Sequence, residues 1–207
     1  MIKYIFDNAQ ASGNAKVFGD AQVYRNAQVY GHAQVYANAQ VFDNAQVSGD
    51  AQVSGNALVY VNARVSGDAQ VFDSAQVSGD ARVSGNAQVF GNARVLGNAR
   101  VSGNAQVFGN ALISGNALVF GHAQVCGDAT IEKTSDYLVV GPAKSSGRFT
   151  TAHRDLKIGV RVNCGCFSGT VQEFSDAIEK THKDNPEALQ QYRLFCQLIA
   201  FSFGVTE

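Results

Sequence analysis

The sequence predicts a mainly β chain, a long solenoid of six-residue repeats followed by a small α+β module. Three observations carry that reading. Alanine stands at every sixth position from Ala9 to Ala129, 21 times without a break. A Val or Ile follows two residues after the alanine, unbroken from Val17 to Ile131, so the unit reads A-x-V-x-G-[N/D]. After Ile131 the period fails, and the composition shifts at Ser135. A helix of 3.6 residues per turn cannot hold a six-residue period on one face, whereas a short strand with alternating sides can. Ala and Val therefore point inward and the residues flanking Val point outward. The Gly-Asn or Gly-Asp pair supplies corners, because these residues tolerate left-handed backbone at low cost. One strand and one corner cannot bury an apolar face alone, so successive units stack.

This pattern resembles the hexapeptide-repeat, left-handed parallel β-helix superfamily, in which three hexads form a triangular coil of eighteen residues. The resemblance spans residues 3–134, and implies about 7.3 coils from 22 hexads and a prism about 35 Å long at ~4.8 Å per coil. One departure is the position after Val, usually small in that superfamily and here often Phe, Tyr or Ser. The expected division is a β-helix over 1–134 and a module over 135–207.

With eighteen residues per coil, outward residues eighteen apart stack in columns. One face carries Phe18, Tyr36, Ser54, Phe72, Phe90, Phe108 and Cys126 beside Lys16 and a run of Gln from Gln34 to Gln124. A second carries Phe6, Tyr24, Phe42, Tyr60, Ser78, Leu96 and Ser114. The third carries mostly serines beside Arg64, Arg82 and Arg100, the one column with charge of a single sign. Like charges ~5 Å apart repel unless anions, the corner residues Asp50 and Asp68, or solvent compensate. This column is read as a solvated face or an anion-lined groove. It is not a sequence-specific DNA reader, since a straight ladder does not follow a groove.

Aromatic columns exceed the apolar patch a monomer leaves in water. Phe18, Tyr36, Phe72, Phe90 and Phe108 are therefore candidate subunit-interface residues, with a trimer, the commonest arrangement in the resembled superfamily, placed ahead of a dimer. The alternative cover is the C-terminal segment folding back over one face.

The module reads as strands at 137–141, 148–153 and 157–163, then two helices. Thr170-Val-Gln-Glu173 is a capping-box signature opening the first helix, with Val171, Phe174 and Ile178 on one side. Asn185-Pro186 opens the second, where Leu189, Tyr192, Cys196, Ile199 and Phe203 recur at helical spacing. So small a module is expected to dock on the solenoid end. Its string Cys164-Gly-Cys166-Phe-Ser-Gly169, with Gly141-Pro142, Arg148 and Glu173-Phe174, resembles the tail module of hexapeptide-repeat proteins of bacteria and bacteriophages. That resemblance implies an architecture and a phage setting, not a chemistry.

Between Lys144 and Arg161 the segment holds Lys144, Arg148, Arg154, Lys157 and Arg161 against Asp155 alone. The candidate ligand site is Arg148, Arg154 and Arg161 with Ser146 and Gly147 of the preceding turn. Ser168 and Gly169 join it, just before a helix N-terminus that favours anions. A solvated hairpin paired with Glu173, Asp176 and Glu179 is the alternative. Cys164 and Cys166, with His153 or His182, are weak evidence for a metal, and a reactive thiol at the helix start is equally weak; buried thiols are the default. All four cysteines are expected to be free.

Acyl transfer is the first enzyme class the fold suggests, yet the hexads run without insertion, and His32 and His122 lie five coils apart, about 24 Å. The repeat holds too few His for a γ-carbonic-anhydrase site and no Thr ladder for ice binding. The expected function is a non-enzymatic oligomeric binding protein without a cofactor. Its basic module would bind or sequester a small anionic, nucleotide-like ligand, as a bacteriophage counter-defence protein would. A pure scaffold and an acyltransferase-like enzyme are the competing classes. A net charge of −1 gives no general drive toward nucleic acid or membrane. The N-terminal ten residues lack an apolar run, and no stretch approaches a membrane span, so a soluble, cytoplasmic protein is expected.

Overall fold

A computed structural model describes residues 5–205. Residues 3 and 4 of the predicted repeat lie outside the described residues. Each hexad from Ala9 onward contributes one two-residue strand, from β1 (Gln10–Ala11) to β21 (Thr130–Ile131), and the first hexad an isolated bridge, Ile5 to Val23. Every third strand pairs in parallel, giving three seven-stranded sheets. The register is eighteen residues throughout, as in Gln10↔Gln28 and Arg64↔Arg82. The solenoid is thus a parallel β-helix of about seven coils.

The alternation of the strand sorts the side chains. Every repeat Ala from Ala21 to Ala123 and every repeat Val or Ile from Val23 to Ile131 is fully buried. A Cβ-only residue alternating with a β-branched one fills the narrow bore of the coil, and no charged side chain joins that cluster among the described residues. The corners hold the left-handed conformation the sequence implied: Gly55 has φ +67, and a Cβ there would stand 2.8 Å from the Asp73 nitrogen of the next coil. At the corners, asparagines stack into exposed amide ladders such as Asn26 to Asn44 at 3.3 Å and Asn44 to Asn62 at 3.3 Å.

Backbone hydrogen bonds cross each coil boundary in both directions. The Gln28 N–H donates to the Ala45 carbonyl at 2.9 Å and Tyr30 N–H to Val47 at 3.0 Å, while the parallel register has the Val47 N–H donating back to the Gln28 carbonyl. The last coil is left with N–H and C=O groups and no following coil; its Gln124 carbonyl accepts from Asn163 Nδ2 at 3.0 Å.

The C-terminal segment supplies what is missing. It forms an antiparallel sheet of β22 (Tyr137–Val140), β23 (Thr150–Asp155), β24 (Gly159–Cys164) and β25 (Phe167–Gly169). Two helices, α1 (Val171–Thr181) and α2 (Pro186–Phe203), pack on one side of it. Both helix starts match the sequence reading. Thr170 Oγ1 accepts from Glu173 N–H at 3.2 Å while Glu173 accepts from Thr170 N–H at 2.7 Å, and Asn185 caps α2 through Ala188 N–H at 3.1 Å. Val171, Phe174 and Ile178 are buried, as are Tyr192, Cys196, Ile199 and Phe203.

Two expectations change. The second and third strands sit about two residues later than predicted, and a fourth strand forms where Cys164–Gly169 was read as a loop. Gly165 and Cys166 make a two-residue hairpin: Cys164 pairs with Phe167, and Gly165 alone of the two has positive φ, the type II′ arrangement. The segment also does not fold back over an aromatic face. It sits on the end of the prism and buries one rung of the column, Cys126.

Candidate functional site

The module sheet is sorted by the same two-residue period as the coils. On β23, Thr150, Ala152 and Arg154 face the helices, whereas Thr151, His153 and Asp155 face the last coil. There they meet the stranded donors of β20 (Gln124–Val125) and its corner. Gln124 N–H donates to Thr151 Oγ1 at 3.0 Å, Cys126 N–H to His153 Nε2 at 3.3 Å, and Asp128 N–H to Asp155 Oδ2 at 3.2 Å. The neighbouring sheet ends in the same way, Leu118 N–H on Thr134 Oγ1 at 3.2 Å and Phe120 N–H on the Tyr137 hydroxyl at 3.3 Å.

This junction fixes the protonation of its groups. His153 Nδ1 lies 3.1 Å from the Arg154 carbonyl, and Nε2 faces two donors, Cys126 N–H and Asn163 Nδ2, the latter at 3.1 Å. The ring is therefore the neutral Nδ1–H tautomer, and burial lowers its pKa to about 4. Burial alone would raise the Asp155 carboxyl, but hydrogen bonds from Arg161 Nε at 2.7 Å and from the Lys157 and Ile158 N–H groups hold it below its ordinary value. Burial also pushes the Cys126 thiol up, which argues against a nucleophile there.

The sequence-predicted ligand residues fall in separate places. Arg161 faces the solenoid, held by Asp155 and by Ser168 Oγ at 3.1 Å. Arg154 is on the opposite face, 3.6 Å from an Asp136 carboxylate oxygen and over the Phe203 ring. A 510 Å³ hollow beside it is lined by acids and bases together, Glu132, Lys133 and Asp136 among them. Gly169 lies against the Glu173 carboxylate, so the first turn of α1 already holds an anion of its own. Ser146 Oγ is engaged by the Tyr192 hydroxyl at 2.9 Å and Arg148 N–H at 3.2 Å. Arg148 and Gly147 remain. They line a 440 Å³ cleft between the module and the solenoid face that carries the Phe18–Phe108 column, with Phe149, His122, Gln106 and Gln124. Here His122 stacks on Phe149 at 4.2 Å and 8°. Arg148 is exposed, and no ion pair involves it among the described residues.

His122 and Phe149 escaped the sequence reading because their meeting depends on how the module docks, which no local pattern records. No disulfide forms among the described residues; Cys164 faces the helices, Cys166 is exposed in its turn, and His153 is committed to the other face. No cluster of three metal-binding side chains occurs among the described residues.

The predicted interface column stacks as expected in geometry: Phe18 on Tyr36 at 5.1 Å, Phe72 on Phe90 at 4.8 Å, Phe90 on Phe108 at 4.9 Å. Because each ring covers its neighbours, only Phe18 of the five is exposed, at 46%, and the others are half-buried. Arg64, Arg82 and Arg100 are exposed in register. No helix among the described residues is long and apolar enough to cross a membrane.

Fold and repeat together define a β-helix repeat protein. Residues 45–60, 51–63, 75–87, 87–103 and 105–121 are similar to the YdcK beta solenoid repeat, all within the coils. No curated protein matches the chain.

Proposed function

We propose that the chain is a non-catalytic, self-assembling binding protein of the cytoplasm. The β-helix is its rigid support and the Phe18–Phe108 column its subunit interface, in a trimer. The Arg148 cleft is its site for a small anionic, nucleotide-like ligand. In the bacteriophage setting that the C-terminal string implies, holding such a ligand sequesters a host signalling molecule. The observation that carries this reading is the state of Arg148: it is the arginine of the basic segment left without a carboxylate, whereas Asp155 and Asp136 occupy Arg161 and Arg154. Beside it the flat His122–Phe149 pair offers a surface for a base, and Gln106 and Gln124 line the same cleft. Its volume lies within the range of small-molecule sites. A guanidinium can pair with phosphate through two parallel hydrogen bonds.

Calorimetry with nucleotides, cyclic dinucleotides and sugar nucleotides tests it. Arg148→Ala is expected to weaken binding roughly ten- to a hundredfold, the worth of one charge-assisted contact. A wild type that binds none of them, or an Arg148→Ala variant that binds equally well, overturns the site. Light scattering that finds a monomer at micromolar concentration overturns the assembly, which Phe90→Glu is expected to dissociate.

A further inference from the structure

Three departures from the repeat meet at one place on the face that carries the Phe18–Phe108 column, far along the prism from the Arg148 cleft. The first is Ser54, which interrupts the aromatic column between Tyr36 and Phe72. The rungs on either side are stacked pairs spaced at 5.1 and 4.8 Å, so the missing rung leaves Tyr36 and Phe72 about 10 Å apart, two coil rises. The second is a break in the amide column beside it. Gln124 donates to Gln106 at 3.5 Å, Gln106 to Gln88 at 3.1 Å and Gln88 to Gln70 at 3.2 Å. Among the described residues the ladder ends at Gln70 and does not resume at Gln52 or Gln34, and Gln52 and Gln70 line the hollow beside Ser54. The third is Asp73, at φ +57 in a corner column otherwise made of Gly and Ala. Its Oδ2 accepts from Gly91 N–H at 3.1 Å. These residues line a 290 Å³ slot with Tyr36 and Phe72 as its parallel walls.

We infer that this slot binds a planar amino-substituted heteroaromatic ring, of the nucleobase type, as the missing rung of the column. The walls fix the class. A ring seated at the Ser54 rung stacks on both sides at the spacing the protein's own rings adopt, the arrangement by which aromatic side chains hold bases. The floor and mouth fix the substitution. Ser54 Oγ and the Gln52 and Gln70 amides offer donors and acceptors to a ring edge, and the Asp73 carboxylate accepts from ring amino or N–H groups. A purely hydrocarbon ring would leave those polar groups desolvated and unpaired.

Tyr36 and Phe72 also belong to the column proposed as the subunit interface, so ligand and partner compete for this face, and light scattering on the same samples separates failure of the slot from its occlusion by a partner. The site is separate from the Arg148 cleft, and an uncharged probe distinguishes the two, since it offers that guanidinium no phosphate. The probe is 2-aminopurine riboside, whose fluorescence is quenched on stacking, titrated with the full-length protein. Wild type is expected to quench it saturably. Ser54→Phe, which restores the aromatic rung, is expected to abolish the saturable signal while unfolding at or above the wild-type temperature. Asp73→Asn is expected to weaken binding about tenfold. Ser66→Phe, the same exchange on another face, is expected to bind as wild type does. Absence of saturable quenching by wild type, or a Ser54→Phe protein that folds and quenches like wild type, overturns the inference.

Discussion

Coils and cap face the same backbone problem and meet it with different parts. Within the coils the strand N–H groups alternate between the carbonyls of the following and the preceding coil, so any residue whose side chain fits will do. At the end of the prism the donors are met by five different side chains, those of Thr134, Tyr137, Thr151, His153 and Asp155. The coils are therefore redundant and the cap is not. A single substitution in the cap removes a bond that no neighbour can replace, and it exposes the edge through which β-solenoids join end to end.

The largest expected effect in the cap is that of Asp155→Ala. It strips the Asp128 N–H of its acceptor and leaves Arg161, only 18% exposed, without its buried carboxylate partner. Breaking such a pair costs about 3–5 kcal/mol, to be read from urea unfolding. A loss under 1 kcal/mol would erase the contrast between coil and cap.

Next comes pH. His153 is neutral in the folded chain with a pKa of about 4, against 6.5 when unfolded. Above pH 6.5 neither state is charged and nothing changes. As pH falls from 6.5 toward 4 the unfolded chain takes up a proton that the native chain refuses, so stability falls by about 3 kcal/mol over that window and levels off below it with respect to this group. Stability that stays flat from pH 6.5 to 4.5 contradicts the junction geometry. The lowered Asp155 carboxyl acts at more acid pH, where its protonation removes the pair with Arg161.

The smallest effect is a gain. Thr150, on the helix side of β23, is fully buried and its hydroxyl has no partner. Thr150→Val is expected to stabilise the protein by about 1 kcal/mol, measured as a higher urea midpoint with unchanged slope. A destabilised variant would indicate a partner for that hydroxyl.

The same contrast explains what could be read in the sequence. The Ala and Val positions announce the coil because every coil repeats the same local demand, and the register of each column follows by arithmetic. The helix starts at Thr170 and Asn185 were legible because capping is local chemistry. The role of Thr151, His153 and Asp155 was not legible, since three alternate residues of a strand acquire it only against a surface from residues 124–128. The basic segment illustrates the cost: five cations in a short stretch read as one anion site, but alternation sends Arg154 and Arg161 to opposite faces and each meets an acid. The slot at Ser54 was visible only as an exception in a column, and its meaning depends on the broken amide ladder beside it.

The central claim is that side chains of the C-terminal module close the last coil, and amide hydrogen exchange resolved by residue measures it most directly. The amides of Gln124, Cys126 and Asp128 are expected to be protected to within about tenfold of Gln88 and Phe90 in the interior, because all are donors in one cooperative unit. In Thr151→Ala the Gln124 amide is expected to exchange faster while Gln88 is unchanged. Rapid exchange of Gln124, Cys126 and Asp128 in wild type, with the interior coils still protected, would contradict the account.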